Sequence, residues 1–236
     1  MARPERPPGE GEPPRFNLDA LAELPAELAL GQLPSGRHGL PRSFVVRNQR
    51  LRIVAAMLRA LPRHGYADTT IGHITEEAGV SRAAFYGQFK SKEECFLATY
   101  DLASRWLREG VEEAAAASKE WPTSVRAGVA EALRLLTANP ALAHLIAIEA
   151  MQAGPVARKR QWACLARFAE MLRAGRPARP ELPANLEELL LGGALSVVAR
   201  QVESDRAEQL PDLETALVEC LLIPYLGPEE SKRIAA

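Results

Sequence analysis

Thr69, Thr70, Ser81, Tyr86 and Lys92 place four hydroxyls and one ammonium within residues 69–92. Donors of this kind, at helix starts or along one exposed edge, are the groups that hold phosphates. Each also has a plain structural reading, the Thr and Ser as helix caps and Tyr86 as core. Among them, Ala78-Gly79-Val80-Ser81 has the chemistry of a sharp turn between two short helices. Gly79 supplies a positive φ, Val80 can plug the angle, and Ser81 can cap the second helix. Catalytic signals are weak by comparison. His38, His64, His73 and His144 show no metal-ligand spacing, and no G-x-S-x-G element occurs. No metal, cofactor or enzymatic activity is therefore expected. Cys95, Cys164 and Cys220 are odd in number and set among apolar residues, which reads as reduced core thiols. Cys95 opens a helical stretch, where a thiol pKa can also fall.

The charge of the chain is uneven. The 236 residues carry 29 basic and 30 acidic side chains, a formal net charge of −1. Residues 47–92 alone hold 8 basic and 3 acidic side chains, a net of +5. The flanking segments, 1–46 and 93–236, sum to −1 and −5. A basic block beside an acidic one points to a module that faces nucleic acid. The longest stretch without Asp, Glu, Lys or Arg, Leu135–Ile148, is interrupted by Asn139-Pro140, so no membrane span is expected. The N-terminus has no apolar leader, and a cytoplasmic protein is expected.

The elements that must position these donors read as helices. Residues 1–42 are Pro-rich and are expected to be a largely disordered extension. Ile53, Met57 and Leu61, with Val54 and Leu58, form an apolar stripe that Pro62 and Gly65 should close. Ile71, Ile74 and Ala78 mark a second helix behind Thr69-Thr70, and Phe85 and Phe89 belong to a third behind Ser81. Ser91-Lys92-Glu93-Glu94 is a capping box for a long helix reaching about Ala117. Pro122, Asn139-Pro140, Gly154-Pro155, Pro183 and Pro211 then punctuate five more helical stretches. The fold class is all-α.

Residues 52–97 resemble the N-terminal domain of the tetracycline-repressor (TetR/AcrR) family of bacterial transcriptional regulators. The likeness is carried by Gly65, Thr69-Thr70, Ile74, Ala78-Gly79-Val80-Ser81, Tyr86-Gly87-Gln88-Phe89 and Lys92-Glu93, in order and at the family's spacing. Thr75, Ala83, Gln88 and Pro62 depart from it; the first and last bear on packing, the other two on the operator-facing surface. The resemblance implies a three-helix helix-turn-helix DNA-binding domain over 43–92, whose recognition helix runs from Ser81 to Gln88. It also implies that Arg82 reads a base, that Ala83 and Ala84 allow close approach, and that Thr69, Thr70, Ser81, Tyr86 and Lys92 hold phosphates.

For residues 93–236 the resemblance implies a long connecting helix and an all-helical effector-binding and dimerisation domain. Tyr100, Trp106, Met151, Trp162, Phe168 and Met171 are the candidates for an effector pocket, with plain core as their other reading. Leu186–Val202 is apolar on more than one face, and Gly192-Gly193 would let a second helix approach closely. Leu190, Gly193, Val197, Leu217 and Leu221 are the candidates for a homodimer interface, or else for burial within their own chain. The partners implied are a double-stranded DNA operator, a second copy of the chain and an unidentified small-molecule effector. A repressor released by that effector is the expected function; an all-α enzyme or a helical interaction scaffold is the alternative.

Overall fold

Residues 42–174 and 181–236, which the computed structural model describes, form helices and the connections between them. The expected N-terminal extension lies, apart from Arg42, outside the described residues. Helix α1 (Arg42–Asp68) turns Ile53, Met57 and Leu61 fully inward, as the stripe requires. Pro62 does not end it: Pro62 lies on the exposed side within the helix, and regular geometry breaks at Gly65 instead. There φ is 67° and ψ 167°, a conformation that side chains with a Cβ resist. Gly65→Ala should lower stability by about 1 kcal/mol or more, read as a fall in Tm.

Helices α2 (Ile71–Ala78) and α3 (Arg82–Tyr86) follow, joined by Gly79 in the left-handed conformation, φ 60° and ψ 41°. The Gly79 N–H closes onto the Glu76 and Thr75 carbonyls, and Val80 N–H also donates to Thr75 O, so the helix end is capped through its own backbone. Helix α4 (Lys92–Ala116) is opened by Ser91, whose hydroxyl accepts from Glu94 N–H at 3.1 Å. Glu94 reaches back to Lys90 N–H, one residue before the capping-box position.

The remaining helices are α5 (Trp121–Ala138), α6 (Pro140–His144), α7 (Ala150–Gln152), α8 (Pro155–Ala174), α9 (Leu186–Glu203), α10 (Glu214–Leu226) and α11 (Pro228–Ala235). Four of the five expected breaks fall where helices meet or begin, and Pro211 sits in a 3-10 stretch (Ala207–Leu213) before α10. Two features lie outside the five expected breaks. A π-helical turn, Leu145–Glu149, joins α6 to α7 and is buried throughout. Gly227, at φ 78°, separates α11 from α10. One apolar core runs from Ile53 through Phe96 and Ile146 to Leu210, so the two expected domains share it.

Candidate DNA-facing module and internal cavity

The module is assembled largely by its own basic residues. Arg52, only 6% exposed, donates from Nη2 to the carbonyls of Ala78 and Gly79, which holds the turn between α2 and α3. Burial lowers the pKa of its guanidinium. Arg50 donates to Gln88 O at 3.1 Å, and its guanidinium lies 4.3 Å from the Phe89 ring centroid. Arg59 and Arg63 both bond Glu77, clamping α2 to α1. The hydrogen bond from Arg59 is the main cause that holds the Glu77 carboxyl below its usual range.

Those contacts fix α3 with one face inward and one outward. Phe85 and Phe89 are buried in the core, while Arg82, Ala83 and Tyr86 are exposed and Ala84 half-buried. Ser81 is exposed and accepts from Ala84 N–H at 3.1 Å as the cap of α3. Thr70 is exposed and caps α2, accepting from His73 N–H while His73 Nδ1 accepts from Thr70 N–H. Arg82 Nη2 lies 3.6 Å from the position a Cβ on Gly72 would take, so Arg82 and the start of α2 share one surface. A guanidinium, two hydroxyls and the Tyr86 ring on one edge can meet a phosphate backbone and the base edges beside it.

Three expected contacts are placed differently. Thr69 is 1% exposed and its hydroxyl donates to Gly65 O at 2.6 Å; it ties the break in α1 and is out of reach of a phosphate. Lys92 donates to the carbonyls of Tyr66 and Ala67 at 2.7 and 3.1 Å, and its ammonium lies over the Tyr66 ring. Gln88 lies beyond the end of α3, with its side chain donating to Val46 O at 3.3 Å. Helix α3 is correspondingly shorter than the expected Ser81–Gln88.

Between α4, α5, α8, α9 and α10 lies an apolar cavity of about 220 Å³. Tyr100, Phe168 and Met171 line it, as expected. Trp106 packs half-buried against the core outside it, and Met151 and Trp162 are exposed. Leu217 and Leu221, expected at a dimer interface, line this cavity instead, because α10 turns that edge inward. Leu190 and Val197 are half-buried on α9, and Gly193 is exposed with open space above it. Cys95 is fully buried, and burial pushes its thiol up to about 12, which removes the activated-thiol reading.

The joint between cavity and module is Glu149, on the π-helical turn and 2% exposed. Its Oε2 accepts from Tyr66 N–H at 2.7 Å, immediately after the break at Gly65, and its Oε1 lies 3.4 Å from His144 Nδ1. Ile146 on the same turn lines the cavity, and its carbonyl accepts from Gln161 Nε2 at 2.8 Å. Neither the turn nor Glu149 was marked by motif or periodicity; the one hint was an acidic residue inside an apolar run.

Residues 53–99 match the sequence model described as "Bacterial regulatory proteins, tetR family". The uncharacterized HTH-type transcriptional regulator YerO of Bacillus subtilis (strain 168) is 46% identical over 46 residues, which cover 20% of this chain and 16% of that protein. That likeness is confined to one module. Among solved structures, the fatty acid degradation regulator FadR from Bacillus halodurans is similar with a TM-score of 0.65 at 20% identity, over 72% of this chain and 96% of that one. FadR from Bacillus subtilis in complex with stearoyl-CoA gives 0.63 at 19% identity, over 75% and 98%. A TetR transcriptional regulator from Chloroflexus aurantiacus gives 0.61 at 24% identity, over 77% and 96%. Such identities speak for the fold. The helix-turn-helix segment thus matches the tetR-family sequence model, and the helical fold of the chain is similar to that of these solved regulators over 72–77% of its length.

Proposed function

We propose that the protein is a homodimeric DNA-binding transcriptional regulator, a repressor whose operator hold is relieved by a small molecule in the cavity. The observation that carries this reading is α3, which turns Phe85 inward and Arg82, Ala83 and Tyr86 outward on a module clamped by Arg50, Arg52 and Arg59. Arg82 reads base edges; Thr70, Ser81 and Tyr86 hold phosphates; Lys92 positions the Tyr66–Ala67 turn. Titrating salt against the protein bound to DNA flanking its own gene tests this. Specific binding should fall linearly in log-log form; weak, sequence-blind binding would count against it.

Effector action follows from the joint. A molecule that shifts Ile146 or Gln161 moves the π-helical turn, and through Glu149 the Tyr66 backbone at the end of α1. Such a ligand favours dimers whose two recognition helices no longer match the half-site spacing. One structure of similar fold is a complex with stearoyl-CoA, and the apolar lining here suits a ligand that is mainly hydrocarbon.

The second copy sits on α9 and α10. These neighbouring helices expose Leu189, Gly193 and Ser196 on one and Ala216, Cys220 and Ile223 on the other, a small and apolar face. Leu189 is 65% exposed, unusual for a leucine unless something covers it. Light scattering at micromolar concentration should give a dimer mass, and Leu189→Arg should shift it to monomer. A monomeric wild type would sink the dimer.

A further inference from the structure

Two buried polar atoms on the cavity wall have no hydrogen-bond partner among the described residues. Tyr100 and Gln161 are each 1% exposed and line the cavity, and among the described residues neither Tyr100 Oη nor Gln161 Oε1 has a hydrogen-bond partner. The Gln161 amide is oriented, because its Nε2 is held by Ile146 O; the oxygen is left as a free acceptor. Cys164 follows Gln161 by three residues on α8, hence on the same face, and its thiol lies beside Tyr100 without hydrogen-bond geometry. Tyr100, Gln161 and Cys164 all line the cavity. The other polar lining groups are occupied: Ser124 Oγ donates to Ser118 O, and Trp121 Nε1 to Leu172 O. No Lys, Arg, His, Asp or Glu lines the cavity among the described residues.

From this we infer that the effector is an uncharged, mainly apolar molecule carrying a hydroxyl, which donates to Gln161 Oε1 and accepts from Tyr100 Oη. The inference rests on the cavity being the effector site. A hydroxyl carries donor and acceptor on one atom and completes both protein groups, which otherwise bear the cost of burial unpaired. A carboxylate accepts from Tyr100 but turns lone pairs toward Gln161 Oε1, with no cation in the lining to offset its desolvation. An ether accepts but cannot donate, and so isolates the contribution of Gln161.

Displacement of the fluorescent apolar probe N-phenyl-1-naphthylamine by 1-dodecanol, its methyl ether and dodecanoate at pH 8 tests the assignment on the full chain. Dodecanol is expected to bind about tenfold or more tightly than the ether or the carboxylate. In Gln161→Leu the preference for alcohol over ether should vanish. In Tyr100→Phe, which removes one oxygen and keeps the ring, alcohol and ether should weaken together while the melting curve stays close to wild type. An ether or carboxylate that binds wild type as tightly as the alcohol overturns the inference, and so does a preference that survives Gln161→Leu. Gly128→Trp, which fills the cavity, separates the two levels. If the naphthylamine binds that variant as it binds wild type, or binds neither, the cavity reading falls and the hydroxyl assignment falls with it. If filling abolishes probe binding but the alcohol is not preferred, only the assignment falls.

Discussion

Arg82→Ala lowers operator affinity by about 1–3 kcal/mol at each half-site and relaxes the preference at one base position in each. Every substitution occurs twice in a dimer, so the total loss is about 2–6 kcal/mol, on the order of 30-fold to more than 10⁴-fold. The expectation follows from what the other basic residues do. Arg50, Arg52 and Lys92 are committed to backbone carbonyls, and Arg59 and Arg63 to Glu77. Arg82 stands exposed at the first turn of α3, next to a cap and two small residues that leave room for a base edge. Competition binding with single-base operator variants is the measurement. A uniform loss over all variants would move Arg82 to the phosphates. Lys92→Ala provides the contrast: it should weaken all sequences alike and lower Tm, because it loosens the turn after Gly65.

The charge pattern thus located the right segment for an incomplete reason. The +5 of residues 47–92 points to DNA, yet much of that charge holds the helix-turn-helix together by capping carbonyl ends and pairing with Glu77. Capping by a distant arginine has no local signature, since Arg52 meets Ala78 only once two helices have packed. Ser81, Thr70 and Gly79 were legible because caps and left-handed turns are fixed by neighbours within a few residues. Phe85 followed from helical period in the same way, whereas Phe89, expected on the same helix, is buried beyond the end of α3. Leu217 and Leu221 were not separable from interface residues, because an apolar helix with little difference between its faces gives no direction for inward. Trp162 and Met151 show the converse: large apolar side chains suggested a pocket, but packing left both outside. Least legible was the π-helical turn, which depends on how α6 and the turn itself pack against α1.

That turn makes Glu149 the position where stability and response part. Glu149→Ala removes the acceptor of Tyr66 N–H and leaves a half-buried donor without its partner, a loss of about 1–3 kcal/mol in unfolding free energy. The larger consequence is for coupling. Effector-bound and free forms of a regulator commonly differ in DNA affinity by about 5- to 150-fold, a coupling free energy of about 1–3 kcal/mol. If the route runs from Ile146 and Gln161 through Glu149 to Tyr66, the alanine variant should bind effector and operator separately, with the ratio of operator affinities falling toward one. Glu149→Gln keeps an oxygen for the same N–H and should retain part of the ratio. Operator affinity measured with and without saturating effector, on wild type and both variants, decides it. A full response in Glu149→Ala would place the coupling elsewhere in the shared core, where α4 runs directly from the cavity at Tyr100 to the Lys92 contact beneath the module. Glu149→Ala disturbs only the first route, whereas Lys92 also bonds the Tyr66–Ala67 turn on which that route ends, so a response lost in Lys92→Ala and kept in Glu149→Ala would assign transmission to α4.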